Sequence, residues 1–246
     1  MNKIYSNNYS TINVHKKSSF KSEIVTQIIY GEAFRVLNES AKWIKIKTKG
    51  DNYIGYTKRR KFISHLNPTH KVSTLFANIY KKPNFKSKIG KLPYLSKIKV
   101  NEINSKFAKF QNKWIEIKNI KPLKYTNKNI FKDIKIFKNV KYKWGGKTFE
   151  GIDCSALIQV CFNFNNKFCP RDSSQQAIFF KKNINLQYVK KNDIIYWKGH
   201  VALALSNKKL IHAYGPLKKT LVMNISKTVK RIKKTANLEV ISVKRI

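Results

Sequence analysis

Asp153-Cys154-Ser155-Ala156-Leu157-Ile158-Gln159-Val160-Cys161-Phe162-Asn163-Phe164 is the stretch on which the reading of this chain turns. Leu157, Val160, Cys161 and Phe164 recur at helical spacing and form one apolar face, with Asp153 standing where a helix N-cap belongs. Cys154 therefore falls in the first turn, where unsatisfied N–H groups and the helix dipole stabilise a thiolate. Cys161 lies on the apolar face and Cys169 precedes a proline, so both read as structural thiols. A thiol nucleophile also needs a base within reach and a third group to orient that base.

Two histidines further along can supply both. Gly199-His200-Val201-Ala202-Leu203-Ala204-Leu205 and Leu210-Ile211-His212-Ala213 read as the strands of a hairpin. Strand alternation puts His200 on the face of Ala202 and Ala204, where small side chains leave room for a helix. His212 joins that face only if the connecting loop has an odd number of residues, such as 206–208 or 207–209. A two-residue turn at Asn207-Lys208 would separate the histidines.

Upstream the chain reads as short β-branched and aromatic strands, at 24–32, 33–37, 43–47 and 53–57, split by Gly, Asn and Asp turns. A second pass begins near His70, with strands at 72–80, 87–94, 97–100, 107–110 and 113–117. The shared order of Ser-x-Ile, turn, Val strand and Trp strand suggests a degenerate repeat of about 60 residues. The expectation is two small β-barrels, residues 1–66 and 67–124, followed by an α+β domain over 125–246. In that last part Ile130, Ile134 and Phe137 predict a short amphipathic helix, and 193–197, 200–205 and 209–213 predict strands.

Composition narrows the function classes. The 246 residues carry 52 Lys+Arg against 12 Asp+Glu, a formal charge of +40. The basic residues are nearly all lysine, with six arginines, and they are spread along the chain, whereas specific phosphate and base recognition favours arginine gathered on one face. Inflated Lys, Ile and Asn together fit an AT-rich genome, so no specific nucleic-acid partner is expected. No apolar run approaches a membrane span and the first 20 residues lack a signal-peptide h-region, which sets a cytoplasmic expectation. Three cysteines without zinc-type spacing predict free thiols, no metal and no cofactor. The oligomeric state is not legible.

Six ordered blocks carry a family resemblance: Tyr142-Lys143-Trp144-Gly145-Gly146, Asp153 to Leu157, Pro170-Arg171-Asp172-Ser173-Ser174-Gln175, Asp193 to Trp197, Gly199 to Ala202, and Ile211-His212-Ala213. Together they resemble an NlpC/P60 cysteine peptidase domain with a papain-like α+β fold. The upstream barrels look like the bacterial SH3-like domains found before the catalytic domain in γ-D-glutamyl-L-diamino acid endopeptidases of the dipeptidyl-peptidase VI type. The resemblance implies Cys154 as nucleophile, His200 as general base and His212 as its orienting partner. It implies oxyanion donors from the Cys154 amide and Tyr142. The implied substrate is a murein peptide with a free N-terminal L-Ala, cleaved after γ-D-Glu during cell-wall recycling.

By local motif, Glu32, Tyr53 (or Tyr56), Trp144, Asp153, Ser155, Asp172 and Ser173 match the family's substrate-binding positions, with acidic groups on the substrate ammonium. The alternatives are an exported or envelope-associated wall hydrolase, a non-catalytic wall-binding module, and an acyltransferase or amidase. Two departures stand out. Ala156 replaces the family's usual Gly, and Ala213-Tyr214-Gly215-Pro216 replaces an Asn-containing segment beside the leaving-group pocket.

Overall fold

Apolar residues alternating between Ile4 and Ser64 close a seven-stranded antiparallel sheet. Its order is Ile24–Ile29, Thr11–His15, Ile54–Lys58, Trp43–Thr48, Ala33–Glu39, Ile4–Ser6 and Ile63–Ser64. Ile12, Val14, Ile28, Phe34, Ile44 and Ile46 point inward and form its core. This is a computed structural model, and it describes residues 3–246. Met1 and Asn2, the start of the expected first barrel, lie outside the described residues.

The next segment folds as a five-stranded and a three-stranded antiparallel sheet. The strand expected over 72–80 is two strands, His70–Val72 and Phe76–Tyr80, in different sheets. The chain turns the corner between them because the Ser73 amide donates to the Asn119 carbonyl (2.9 Å) and the Thr74 hydroxyl to that of Phe76 (2.9 Å). Tyr30, in the turn after Ile24–Ile29, belongs to the hydrophobic cluster that the five- and three-stranded sheets share and meets Phe110 edge-on at 5.8 Å. Gly31 makes that approach possible: its φ is +78°, and a Cβ there would stand 2.0 Å from the Lys97 carbonyl oxygen. All three sheets fall in one unit, residues 1–127 with 147–149 and 164–166.

The second unit is built on a six-stranded antiparallel sheet in the order Asn183–Ile184, Val240–Lys244, Ile194–Trp197, His200–Ala204, Lys209–Tyr214 and Lys219–Asn224. Helices α1 (Cys154–Phe164), α2 (Ser173–Phe179) and α3 (Ile225–Ala236) accompany it. The amphipathic helix expected from Ile130 is only a 3-10 turn, Ile134–Phe137. Asn129 Oδ1 accepts the Phe131 amide (3.0 Å), and Asn139 at φ +68° ends the segment, so side-chain turns displace an α-helix there. Ile134 and Phe137 are nonetheless buried. The small residues Ala202 and Ala204 do pack with a helix: they share a cluster with Ile225 and Ile232 of α3.

Candidate active site

Asp153 begins the site. Its Oδ1 accepts the Ala156 amide (2.8 Å), which makes it the N-cap of α1 and places Cys154 at the first helical position. Its Oδ2 accepts the Gly145 amide (3.0 Å). Gly146 is held close by the same loop, since a Cβ there would lie 2.5 Å from the Gly151 carbonyl oxygen. The Arg171 guanidinium then straddles the carboxylate, with 3.0 Å to Oδ1 and 2.5 Å to Oδ2, and donates to the Ser155 hydroxyl as well (2.9 Å). Asp153 and Arg171 are both buried.

Cys154 is 5 % exposed. Burial pushes its thiol up to about 12 and the Asp153 charge adds to that, while the amides of Val201 and Ser155 on the sulfur and the Arg171 charge pull the other way. The buried thiol is therefore held in its neutral form. The Val201 contact fixes the geometry, because it sets the sulfur against the start of the strand that carries His200.

The hairpin connection is the odd-numbered one. Leu205 N donates to the Lys209 carbonyl (2.8 Å), residues 206–208 form the loop, and Leu203 pairs with Ile211. His200 and His212 thus share a face, and His200 Nε2 lies 2.9 Å from His212 Nδ1. The other nitrogen of His212, Nε2, is 3.4 Å from the Met223 sulfur. A thioether can only accept, so His212 Nε2 carries the ring proton and His212 Nδ1 accepts from His200 Nε2–H. His200 Nδ1 is left unprotonated, as a base requires. Tyr214 stacks on His212 at 4.7 Å and holds the ring plane. Burial lowers His200 to about 4; burial and the neighbouring His200 lower His212 to about 3, so both rings rest neutral.

Tyr142 reaches the same site. Burial first, and then the neighbouring Cys154 and the Asp153 carboxylate, raise its phenol, which stays a proton donor. Its ring lies against Gly215, where a Cβ would sit 3.4 Å from it. Trp144 is 56 % exposed, beside the Gly145-Gly146 loop. Asp172 precedes α2, its carbonyl accepting the Gln176 amide (2.9 Å) and Ser173 opening the helix. Glu32 and Tyr53 belong to the first unit and have partners there. Both Glu32 oxygens take the Lys147 ammonium (2.8 and 3.0 Å), Oε2 also accepts the Ile29 amide, and the Tyr53 amide donates to Thr48 Oγ1.

Three contributors went unpredicted: Arg171, Met223 and Gln176. Gln176 is fully buried and ties α2 to α1 by donating to the Ser155 (3.0 Å) and Pro170 (2.9 Å) carbonyls. Arg171 had a signal. In a chain with 46 lysines, one of six arginines beside an Asp-Ser pair marks a place where the planar fork matters. Among the described residues no cluster of His, Cys, Asp and Glu is placed to hold a metal ion, and no helix is long and apolar enough to cross a membrane.

This geometry agrees with the comparisons to known proteins. The NlpC/P60 family profile matches residues 139–236, and that of the bacterial dipeptidyl-peptidase SH3 domain matches residues 14–60. Dipeptidyl-peptidase 6 of Lysinibacillus sphaericus is 24 % identical over 228 residues, covering 82 % of this chain and 84 % of that one. The γ-D-glutamyl-L-lysine dipeptidyl-peptidase of Bacillus subtilis is 24 % identical over 237 residues, covering 84 % and 77 %. The crystal structure of an NlpC/P60 family protein from Bacillus cereus superposes with a TM-score of 0.83 at 15 % identity, over 98 % of this chain and 99 % of that one, and so shares the fold. A thiol at a helix start, backed by a histidine pair, defines a cysteine peptidase. More particularly, the chain joins an NlpC/P60 peptidase domain to a bacterial dipeptidyl-peptidase SH3 domain.

Proposed function

We propose that this peptidase hydrolyses the γ-D-glutamyl–diamino acid bond of murein peptides that carry a free N-terminal L-Ala, in the recycling of cell-wall peptides in the cytoplasm. The observation that carries the chemistry is the Cys154 sulfur held against Val201, next to a His200 whose second nitrogen is committed to His212. The substrate class is supported by the two relatives' names, both of which describe removal of a dipeptide.

In this reading the Cys154 proton passes to His200 Nδ1 as sulfur attacks the γ-carbonyl carbon. The Cys154 amide and the Tyr142 hydroxyl face the developing oxyanion. Collapse breaks the C–N bond, with His200 delivering its proton to the leaving amine, and leaves a thioester. Water, deprotonated by His200, then attacks the thioester carbon, releases the D-Glu carboxylate and restores the thiol.

Mass spectrometry of L-Ala-γ-D-Glu-meso-diaminopimelate incubated with the protein, beside the N-acetylated peptide and a Cys154→Ser control, tests this. Release of L-Ala-D-Glu from the free peptide alone is the expected result. Cleavage of both peptides discards the amine requirement and keeps the chemistry. Cleavage of neither discards this substrate class.

A further inference from the structure

A cavity of about 370 Å³ opens on the histidine side of the site, within the second unit. His200 and Tyr142 line one end, and α3 supplies Arg231 and Ile232 at the other, with Lys198 and Leu238 on its walls. Its size is that of a small-molecule site, with apolar walls and few polar groups. The two cations set its chemistry. Neither Arg231 nor Lys198 is paired with a carboxylate among the described residues, and the nearby Glu239 is taken by Lys233 at 2.6 Å. Unpaired cations are common in so basic a chain. Among the six arginines Arg59, Arg171 and Arg245 hold a carboxylate, the last two with two nitrogens each, whereas Arg231 lines this cavity with its planar fork uncommitted to an acid.

His200 hands its proton to the leaving amine, so whatever His200 borders on this side receives the leaving residue. We propose that this cavity is the leaving-residue subsite. Arg231, with Lys198, binds the free α-carboxylate of the departing diamino acid, and Ile232 and Leu238 cover its methylene stem. The inference rests on the peptidase reading above and adds a recognition element to it. A carboxylate whose only partners are water gains a charge-assisted pair here, and a substrate amidated at that position does not.

The test compares L-Ala-γ-D-Glu-L-Lys with its C-terminal carboxamide in wild-type protein, Arg231→Ala, Arg231→Lys and Lys230→Ala, an exposed-charge control on the same helix. Wild type is expected to prefer the acid by about tenfold, through KM. Arg231→Ala should bring the acid down to the level of the amide, Arg231→Lys should restore part of the preference, and Lys230→Ala should keep it. Equal treatment of the two peptides by wild type, or a preference that survives in Arg231→Ala, overturns the subsite. If wild type cleaves neither peptide, the substrate reading fails and the cavity is read separately by NMR with free L-lysine and L-lysinamide. Perturbation of α3 by lysine only, absent in Arg231→Ala, upholds the carboxylate site, and its absence in wild type overturns it.

Discussion

Asp153 and Glu32 are both acids that the family resemblance assigns to a substrate ammonium, and each is already held by a cation of this chain, but by different means. Asp153 is 6 % exposed and sits at the hub of a cap, a loop amide and a two-nitrogen arginine fork. Glu32 is less buried, its side chain 17 % exposed, and one lysine plus one amide hold it. Arginine with fixed geometry builds the floor under the nucleophile, whereas lysine, a compact point charge on a flexible stem, closes a looser pair in the first unit. An acid in this lysine-rich chain is thus no evidence by itself for a substrate site; the number and rigidity of its partners separate scaffold from opportunity.

The largest effect should fall where chemistry and scaffold part. Cys154→Ala removes the nucleophile and should reduce turnover by on the order of 10³-fold or more, while thermal and denaturant unfolding stay near wild type. Arg171→Ala should do the reverse first. It leaves a buried carboxylate unpaired, at about 3–5 kcal/mol of stability, and activity falls as the cap of α1 loosens. Arg171→Lys keeps the charge and loses the fork, so denaturant unfolding should place it between the two. Arg245→Ala also strips a buried carboxylate, Asp193, of its arginine, but Asp193 keeps the Lys190 amide (2.7 Å) and the arginine's place is 29 % exposed and open to water, so the loss should be smaller than for Arg171→Ala. An equal loss would erase the distinction between the site's floor and the ends of the sheet's inner strands.

Much of this site could be read in advance because period and parity constrain side chains so tightly. Helical spacing places Cys154 at the start of α1, and the even-numbered separation of His200 and His212 makes an odd-numbered loop the condition for their contact, met by 206–208. The missed parts are those that local pattern does not encode. Met223 meets His212 only across the pairing of Lys209–Tyr214 with Lys219–Asn224, where His212 stands opposite Leu221. Arg171 reaches Asp153 across 18 residues of chain. α3 also went unpredicted, although Asn224 caps it (3.0 Å to the Lys227 amide) and Ile225, Thr228 and Ile232 mark its buried face. There the signal was present in the sequence. The helix expected near Ile130 failed for the opposite reason, since apolar spacing matched and the Asn residues that compete with helical hydrogen bonds outweighed it.

The histidine pair offers a finer cut, through pH. Both rings are neutral when folded and take up protons more readily when unfolded, so they contribute stability that falls as pH drops from about 6.5 toward 4. Catalysis needs His200 unprotonated, so the acid limb of kcat/KM should lie below the ordinary histidine range; a limb at or above 6.5 would contradict the buried, neutral pair. Met223→Leu keeps the volume and removes the acceptor that selects the His212 tautomer. A few-fold loss in kcat with a moved pH profile is expected, and an unchanged profile would reduce Met223 to packing.

The smallest effect belongs to the Lys147–Glu32 pair. Lys147→Met keeps the buried stem, whose side chain is 4 % exposed, and removes the ammonium. Glu32 retains the Ile29 amide and some access to water, so the loss should be about 1–2 kcal/mol, below that of Arg171→Ala. Adding Glu32→Gln to Lys147→Met removes the unpaired charge and should recover most of that loss, read by denaturant midpoints of the two variants. If the double variant is no more stable than Lys147→Met, the pair is held by packing of the lysine stem rather than by charge. A loss as large as that of Arg171→Ala would mean that lysine, too, builds rigid floor in this chain.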